Sequence, residues 1–301
     1  CALYARLPRA MPRPSENSET HPSVSTGPTV RITGETREER YEAVAVETPL
    51  QICINGKPLL VTMCSPEDTQ ALVTGLLFSD GVVNEQGLRE HCRIHLSENA
   101  HGEPQAEVQI PPEYICEQYV ARRAVASSTS CGICGRESLD DLAALDLVRP
   151  PQQPFDPTTL ADMHRQIAEH QVVFGLTGGT HAAAAFDTRG ELLVVAEDVG
   201  RHNAVDKVIG LLIDRDIRTS AEVLWVSGRT SFEIVLKACR AGIPVLSAVS
   251  SPTSLAIETA RSVGISLLGF CREDRATLFC GAEHILGPVT EQVPTGAAEH
   301  D

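Results

Sequence analysis

The residues best able to do chemistry are two cysteines in a glycine-flanked loop. Residues 130–136 read Ser-Cys-Gly-Ile-Cys-Gly-Arg, which places Cys131 and Cys134 in a C-x-x-C pair. Such a pair can bind zinc, perform dithiol redox chemistry or carry a reactive sulfur atom. Structural zinc needs four ligands, and the sequence offers no second C-x-x-C and no suitably spaced histidine pair. The pair therefore does not indicate a structural zinc site.

Sulfur carriage fits the same loop better than thioredoxin-type redox chemistry. A thioredoxin-type site needs a helix start at the thiols, whereas the helix predicted from Leu139 begins five residues after Cys134. The flanking glycines leave a thiolate accessible, and Arg136 favours the charged form. We therefore expect Cys131 to hold a persulfide, which Cys134 protects or releases by disulfide exchange.

A catalytic zinc site is the alternative interpretation of these thiols. His101 and Glu103 precede Cys131 and Cys134 at about the spacing of the zinc deaminase pattern H-x-E…P-C-x-x-C. Two features count against it: Ser130 stands where that pattern has proline, and the segment around His101 is typical of a turn. A zinc-dependent, deaminase-like hydrolase thus stays open as a second hypothesis.

Three loops in the second half follow predicted strands and suit an anion or nucleotide. In open α/β sheets, ligands bind outside the carboxyl ends of the strands. Loops 227–231 and 250–253 offer hydroxyls and free N–H groups at helix starts, and loop 270–275 adds arginines. The candidate binding residues are Ser227, Gly228, Arg229, Phe270, Cys271, Arg272, Glu273, Asp274 and Arg275.

Two further polar segments complete the set of candidate binding residues. One follows residues 172–176, which are predicted to be a strand, and comprises Gly178, Gly179, Thr180 and His181. The other is the dense run Glu197–Lys207 at a strand-to-helix turn, which contributes Arg201 and His202. His202 and Asp206 lie four residues apart on one helical face, so the carboxylate is expected to hold the imidazole.

The elements that position these residues fall into two halves. The first is strand-rich, with a hairpin around Asn55-Gly56 and a helix predicted to open at a Ser65 cap and to end at Asp80-Gly81. The second alternates β-branched runs with helices, which predicts an α/β domain with at least three parallel strands. We predict a disordered tail over 1–28, a smaller α+β domain over 29–123, the C-x-x-C loop and linker over 124–150, an α/β domain over 151–292 and a second tail over 293–301.

Chain length, net charge and cysteine content exclude several classes of protein. A length of 301 residues suggests two domains, and no apolar run approaches the roughly 18 residues of a membrane span. The net charge of −15 argues against general nucleic-acid binding. Ten cysteines in this chain are far fewer than a disulfide scaffold needs, so we expect reduced thiols and a cytoplasmic protein.

Several motifs taken in order resemble the FdhD family, the sulfur carriers required for formate dehydrogenase activity. The resemblance extends from about Val30 to Gly287, and its most specific parts are the C-G-x-C-G loop and the run Glu197–Lys207. The motifs are Glu47–Leu50, Asn55-Gly56, Ser130–Gly135, Gly178–Ala182, Glu197–Lys207, Ser227–Arg229, Ala241–Pro244 and Gly269–Arg272.

The resemblance implies a fold, a reaction and partners. Proteins of this family are cytoplasmic homodimers whose main domain is an α/β/α sandwich similar to cytidine deaminase, without its zinc. They take sulfur from a cysteine desulfurase and sulfurate the molybdenum cofactor, a bis-molybdopterin guanine dinucleotide, before it enters formate dehydrogenase. By resemblance, Cys131 matches the persulfide cysteine, Cys134 its partner, and Phe270–Arg275 the cofactor-binding segment. The cofactor is then a bound client, and no permanently bound metal is expected.

Overall fold

A computed structural model describes residues 21–99, 102–116, 149–272 and 275–287. The strands are β1 (Val24–Thr33), β2 (Thr36–Ala45), β3 (Thr48–Ile54), β4 (Lys57–Cys64), β5 (Arg93–Glu98), β6 (Pro104–Gln109), β7 (His181–Phe186), β8 (Leu192–Asp198), β9 (Val223–Val226), β10 (Val245–Ala248), β11 (Ser266–Arg272) and β12 (Arg275–Cys280). The helices are α1 (Thr69–Ser79), α2 (Leu160–His170), α3 (Val172–Thr177), α4 (Arg201–Asp214), α5 (Phe232–Arg240) and α6 (Ser254–Val263).

The first half builds two small sheets. Strands β1 and β2 form a separate antiparallel ribbon, and a four-stranded sheet has the order β4-β3-β6-β5. The hairpin predicted around Asn55-Gly56 is confirmed, because β3 and β4 are antiparallel and both turn residues have positive φ, at 49° and 75°. This left-handed pair is the conformation that favours an Asn-Gly turn.

The second half builds a six-stranded mixed sheet with the order β12-β11-β10-β9-β7-β8. The central strands β9, β10 and β11 are parallel, which confirms the prediction of at least three parallel strands. Helices α5 and α6 form the crossovers between them. Strand β7 is antiparallel to both of its neighbours, so its first residue lies at the edge where β9 ends.

Apolar residues cover both faces of the six-stranded sheet. One core cluster joins α2 to Ala182, Ala184 and Trp225 on one face. A second cluster joins the other face to α4, α5 and α6 and continues through α1 into the four-stranded sheet. The predicted α/β class is confirmed, and a shared core connects the two halves. Of the helices in the described ranges, none is long and apolar enough to cross a membrane.

Helices α1 and α4 cross at contact distance. A Cβ atom on Gly75 of α1 would collide with the backbone carbonyl of Asp206 in α4. A Cβ atom on Gly210 of α4 would likewise collide with the backbone of Ala71 in α1. The two glycines therefore permit an approach that no larger residue allows without a backbone shift.

Three predictions about local structure are wrong. Residues 172–176 belong to helix α3 rather than a strand, because the backbone N–H groups of Val173 and Phe174 donate to the Glu197 carboxylate. Helix α1 ends at Asp80 as predicted but begins at Thr69. The Ser65 hydroxyl does not cap it, because this oxygen accepts a hydrogen bond from the Val199 N–H.

The third error concerns the predicted disordered tail over 1–28, whose boundary is placed too late. Residues 24–28 lie in strand β1, where Val24 pairs with Ala45 and Pro28 with Tyr41. Most of the predicted linker, residues 117–148, lies outside the described residues, and so does the predicted tail over 293–301.

Candidate functional site

One edge of the six-stranded sheet gathers most of the candidate binding residues that the structure describes. The parallel strands β9, β10 and β11 end there, antiparallel β7 begins there, and β8 ends there before α4. The strand-end edge is the name used below for the five residues that form this site: His181, Arg201, Ser227, Gly228 and Phe270.

Four residues of the strand-end edge are in contact. The Ser227 Oγ lies 3.3 Å from His181 Nδ1 and accepts the Ala182 N–H at 3.0 Å. A Cβ atom on Gly228 would lie 3.3 Å from Arg201 Cδ and 3.4 Å from His181 Nδ1. The Gly228 backbone therefore packs closely against the aliphatic stem of Arg201 and the His181 ring, and a larger residue would crowd this contact.

The charge states of Arg201 and His181 at the strand-end edge favour binding of an anionic ligand. The Nε atom of Arg201 is buried and has no hydrogen-bond partner in the described part of the chain. A buried donor without a partner costs free energy that an anionic ligand would recover. Burial lowers the pKa of the His181 imidazole, and the Arg201 charge lowers it further, although Asp198 opposes this shift. His181 is therefore neutral next to a permanent cation.

The loops after β9, β10 and β11 are hydrogen-bonded to one another. The Thr253 N–H donates to the Thr230 carbonyl at 3.0 Å, and the Phe270 N–H donates to the Ser250 carbonyl at 3.2 Å. Phe270 has φ 53°, a left-handed conformation that is an outlier for an aromatic residue. Its side chain is 47% exposed. The fold thus holds an aromatic ring at the strand-end edge at a cost in backbone strain.

The predicted arginines have different surroundings. Arg272 donates to the Val249 carbonyl at 2.9 Å and to the Cys271 carbonyl at 3.2 Å, so it ties β11 to the neighbouring loop. Arg229 and Arg275 are exposed. Glu273 and Asp274 lie outside the described residues. Arg201, which is half-buried, is the arginine that contacts the other residues of the strand-end edge.

The segment Gly178–His181 leads from α3 into β7. Gly178 ends the helix in a left-handed conformation with φ 64°, which glycine adopts without strain. The Thr180 hydroxyl donates to the Glu197 Oε1 at 2.8 Å and is turned toward this carboxylate. Gly179 and Thr180 therefore fix the position of His181.

The predicted pair of His202 and Asp206 is wrong. The His202 Nε2 lies 3.0 Å from the Ser231 Oγ and 3.1 Å from the Glu233 Oε2. The Asp206 Oδ1 instead accepts from the Lys237 Nζ at 2.7 Å and from the Ser79 Oγ at 2.5 Å. Both partners of His202 are on the loop and helix after β9. Glu233 was missed because its contact with His202 depends on tertiary packing.

Buried ion pairs hold the turn that presents Arg201. Lys207 and Asp198 are fully buried and lie 2.8 Å apart, and Asp198 also accepts from the Ser65 and Gly200 N–H groups. Together with the Asp206–Lys237 pair, they connect the first half of the chain to the second. The buried brace is the name used below for Asp198, Asn203, Asp206, Lys207 and Lys237.

The buried cysteines of the described residues are poor candidates for sulfur chemistry. Burial raises the pKa of Cys64, Cys92 and Cys239 to about 11, and it also raises the pKa of Cys271. A thiol with a raised pKa is protonated at neutral pH and is a weak nucleophile. Cys271, a predicted binding residue, is buried against the Ser247 hydroxyl at 3.2 Å.

The two cysteines of the C-x-x-C pair, Cys131 and Cys134, lie outside the described residues, as does His101. Glu103 is exposed in the turn between β5 and β6, where it accepts from the Asn99 Nδ2 at 2.9 Å. Among the described side chains, no cluster of three or more His, Cys, Asp or Glu residues could hold a metal ion. The zinc hypothesis therefore gains no support.

Comparisons with known proteins agree with this architecture. Residues 45–286 match the model of the FdhD/NarQ family. The chain is 40% identical over 263 residues to the sulfur carrier protein FdhD of Streptomyces coelicolor, covering 85% of this chain and 93% of the relative. It is 42% identical over 255 residues to the sulfur carrier protein FdhD of Mycobacterium bovis, covering 82% of this chain and 92% of the relative.

A solved structure is similar to the whole described fold. It is described as a formate dehydrogenase accessory protein, from Desulfotalea psychrophila, with a TM-score of 0.69 and 25% identity, covering 88% of this chain and all of that one. The fold and site thus define an α/β protein with a strand-end region suited to an anionic ligand. The family match and the relatives show that the chain belongs to the FdhD/NarQ family.

Proposed function

We propose that this protein is a sulfur carrier for formate dehydrogenase. In this proposal it accepts persulfide sulfur from a cysteine desulfurase and transfers it to the molybdenum cofactor, a bis-molybdopterin guanine dinucleotide, before insertion into the dehydrogenase. Relatives named sulfur carrier protein FdhD, and a similar structure described as a formate dehydrogenase accessory protein, support the proposal.

The observation that carries the proposal is the buried Arg201 Nε, which has no hydrogen-bond partner among the described residues and lies beside the closely packed Gly228. A guanine dinucleotide carries phosphates, which match a guanidinium and free backbone N–H groups. Ser227 and neutral His181 add hydrogen-bonding groups at the same place. The exposed Phe270 ring offers a flat surface on which a guanine base can stack.

The sulfur chemistry is assigned to the C-x-x-C pair. The Cys131 thiolate attacks the terminal sulfur of a desulfurase persulfide, which forms a persulfide on Cys131 and releases the desulfurase thiolate. The Cys134 thiolate then attacks the Cys131 Sγ, which forms a Cys131–Cys134 disulfide and releases hydrosulfide for the client. A dithiol reductant restores both thiols. The protonated thiols of the described region support this choice of cysteines.

Three further properties belong to the same proposal. The protein acts in the cytoplasm, where its cysteines stay reduced. It acts as a homodimer. In this proposal its main domain is a deaminase-like sandwich, which the six-stranded sheet between helix layers supports.

Intact-mass measurement tests sulfur acceptance. The protein is incubated with a cysteine desulfurase and cysteine, and its mass is compared with that of Cys131→Ala and Cys134→Ala. We expect one added sulfur atom on the wild type, none on Cys131→Ala, and retained sulfur on Cys134→Ala because release is blocked. Full sulfur addition on Cys131→Ala would contradict the assignment.

Complementation separates a carrier from a protein that only holds the client. In a strain lacking this function, the wild type should restore formate dehydrogenase activity, whereas a Cys131→Ala, Cys134→Ala double variant should not. Cys53→Ala is the matched control, because Cys53 is buried in β3 and its pKa is raised by burial. Restoration by the double variant would mean that client binding alone is sufficient.

A further inference from the structure

The β1–β2 ribbon has no place in either hydrophobic core of the described chain. Its two strands pair along ten residues each, from Val24 with Ala45 to Thr33 with Thr36. It forms a sheet of its own, with an open outer edge on each strand. A ribbon of two strands is only marginally stable in water, so its packing against helix α3 contributes to its stability.

One face of the ribbon is apolar and open to solvent. Val30 and Ile32 lie two residues apart on this face and are 49% and 67% exposed. The pairing places Glu39 beside Val30 and Arg37 beside Ile32. The ribbon face is the name used below for Pro28, Val30, Ile32, Arg37 and Glu39.

The opposite face of the ribbon carries ion pairs that form within the chain. Its ion pairs join Arg31 to Glu42 at 2.7 Å and Arg40 to Glu38 at 2.8 Å. The apolar side chains of Val30 and Ile32 receive no comparable cover from the ribbon itself. The difference between the two faces singles out the ribbon face as the one that needs a partner.

The charges of the ribbon face are complementary to a second copy of the same face. Interfaces with twofold symmetry bring the same patch together on both subunits, so each patch must hold both signs of charge. When two ribbon faces meet in antiparallel orientation, Arg37 lies opposite Glu39 of the partner subunit, and the apolar side chains lie between these pairs. A patch with one sign of charge would instead repel its copy.

The base of the ribbon is continuous with the strand-end edge. Ala45 at the end of β2 lies against Gly179, since a Cβ atom built on Gly179 would lie 3.1 Å from the Ala45 Cβ. Two residues later the chain reaches His181, the first residue of β7. The match to the family model begins at residue 45, so nearly all of the ribbon precedes the matched region.

We propose that the ribbon face is the self-association surface of this protein and that its occupant is the ribbon face of a second copy. The inference rests on the homodimer of the proposed function and names the surface that forms it. Burial of Val30 and Ile32 stabilises the pair, and the Arg37–Glu39 contacts fix its antiparallel orientation.

Sedimentation of the full chain over a range of concentrations tests the proposal. A Val30→Thr, Ile32→Thr double variant keeps β-branched side chains in the strand but removes their apolar surface. We expect its dimer dissociation constant to rise by at least about tenfold. Thr33→Val, on the opposite face, is the matched control and should leave the constant unchanged. An unchanged constant in the double variant would overturn the assignment of this surface.

A charge exchange separates contact between copies from folding of the ribbon. Arg37→Glu and Glu39→Arg should each raise the dissociation constant by several fold, and the variant carrying both changes should restore it. Failure of the paired exchange to restore association would also overturn the proposal. A wild-type chain that stays monomeric would overturn both this inference and the proposed homodimer, whereas sulfur acceptance by Cys131 is measured separately by mass.

Discussion

The buried brace and the strand-end edge both draw residues from the run Glu197–Lys207, but their polar groups have opposite surroundings. In the buried brace, the charges of Asp198 and Lys207 are paired with each other at 2.8 Å and with backbone groups. At the strand-end edge, the Arg201 Nε is buried without a partner in the described residues. The neighbouring Phe270 is strained and exposed.

The difference distinguishes structural from functional polar residues. A buried network in which every polar group has a partner helps to specify one fold. It leaves no donor or acceptor for a ligand. A buried guanidinium N–H without a partner costs stability in the free protein, and a ligand that accepts a hydrogen bond from it recovers this cost. Changes in the brace should therefore alter stability, whereas changes at the edge should alter binding.

The largest expected effect is the loss of a brace charge. Lys207→Met leaves the Asp198 carboxylate buried without its cation, which should lower the free energy of unfolding by about 3–5 kcal/mol. Arg165→Met is the control, because Arg165 pairs with Asp162 on the surface of α2, where such pairs contribute at most about 1 kcal/mol. Urea unfolding measures both. A loss below that of the control would contradict the structural role of the brace.

The helix crossing beside the brace should be nearly as sensitive. Gly210→Ala forces the α1 backbone away from α4 and should cost about 3 kcal/mol of unfolding free energy. Gly175→Ala is the matched helical glycine, because a Cβ there meets nothing within 4 Å. It should leave stability unchanged or raise it by up to about 1 kcal/mol. Equal results for the two glycines would disprove the close crossing.

Substitution of Phe270 should raise the free energy of unfolding, whereas substitution of a brace residue should lower it. Phe270→Asn relieves the left-handed strain and should raise the free energy of unfolding by about 1 kcal/mol. The same change should weaken binding of guanosine diphosphate by about tenfold, because the stacking surface is lost. Phe174→Asn is the control, since Phe174 is also 47% exposed but lies on α3. Equal nucleotide affinity of the two variants would contradict a stacking role for Phe270.

The smallest expected effect is a pH dependence from His181. Burial and Arg201 hold its pKa below the value of about 6.5 in an unfolded chain. Below that pH the unfolded chain binds more protons, so the stability of the free protein falls as pH decreases. His181→Asn should flatten this decline in thermal melts between roughly pH 7.5 and pH 5. Saturating guanosine diphosphate should also reduce this decline in stability at low pH, because an anion favours the protonated imidazole. A decline unchanged by His181→Asn would refute the assignment.

Local patterns in the sequence predicted most of the second half. Strand β9 and helix α5 belong to the predicted alternation of β-branched runs and helices, and Gly264 ends α6 in a left-handed conformation with φ 74°. The position of the strand-end loops at one edge also followed from the order of strands and helices. These features depend on periodicity and turn chemistry, which neighbouring residues determine.

The errors share one physical cause, because each depends on a partner distant in the chain. Helix α3 forms where a strand was predicted because Glu197 accepts its first N–H groups. Ser65 does not cap α1 because it bonds to Val199, more than a hundred residues away. Asp206 contacts Lys237 rather than His202. No local pattern in the sequence specifies these long-range contacts.

Calorimetric titration of guanosine diphosphate into the wild type and Arg201→Gln tests the central claim most directly. We expect Arg201→Gln to weaken binding by at least about tenfold, while its free energy of unfolding in urea equals that of the wild type or is higher by about 1 kcal/mol. Arg189→Gln is the control, because Arg189 is exposed in the β7–β8 turn at the opposite end of the sheet. It should bind like the wild type. Equal affinity of Arg201→Gln and Arg189→Gln, or no binding by the wild type, would contradict an anion site at the strand-end edge.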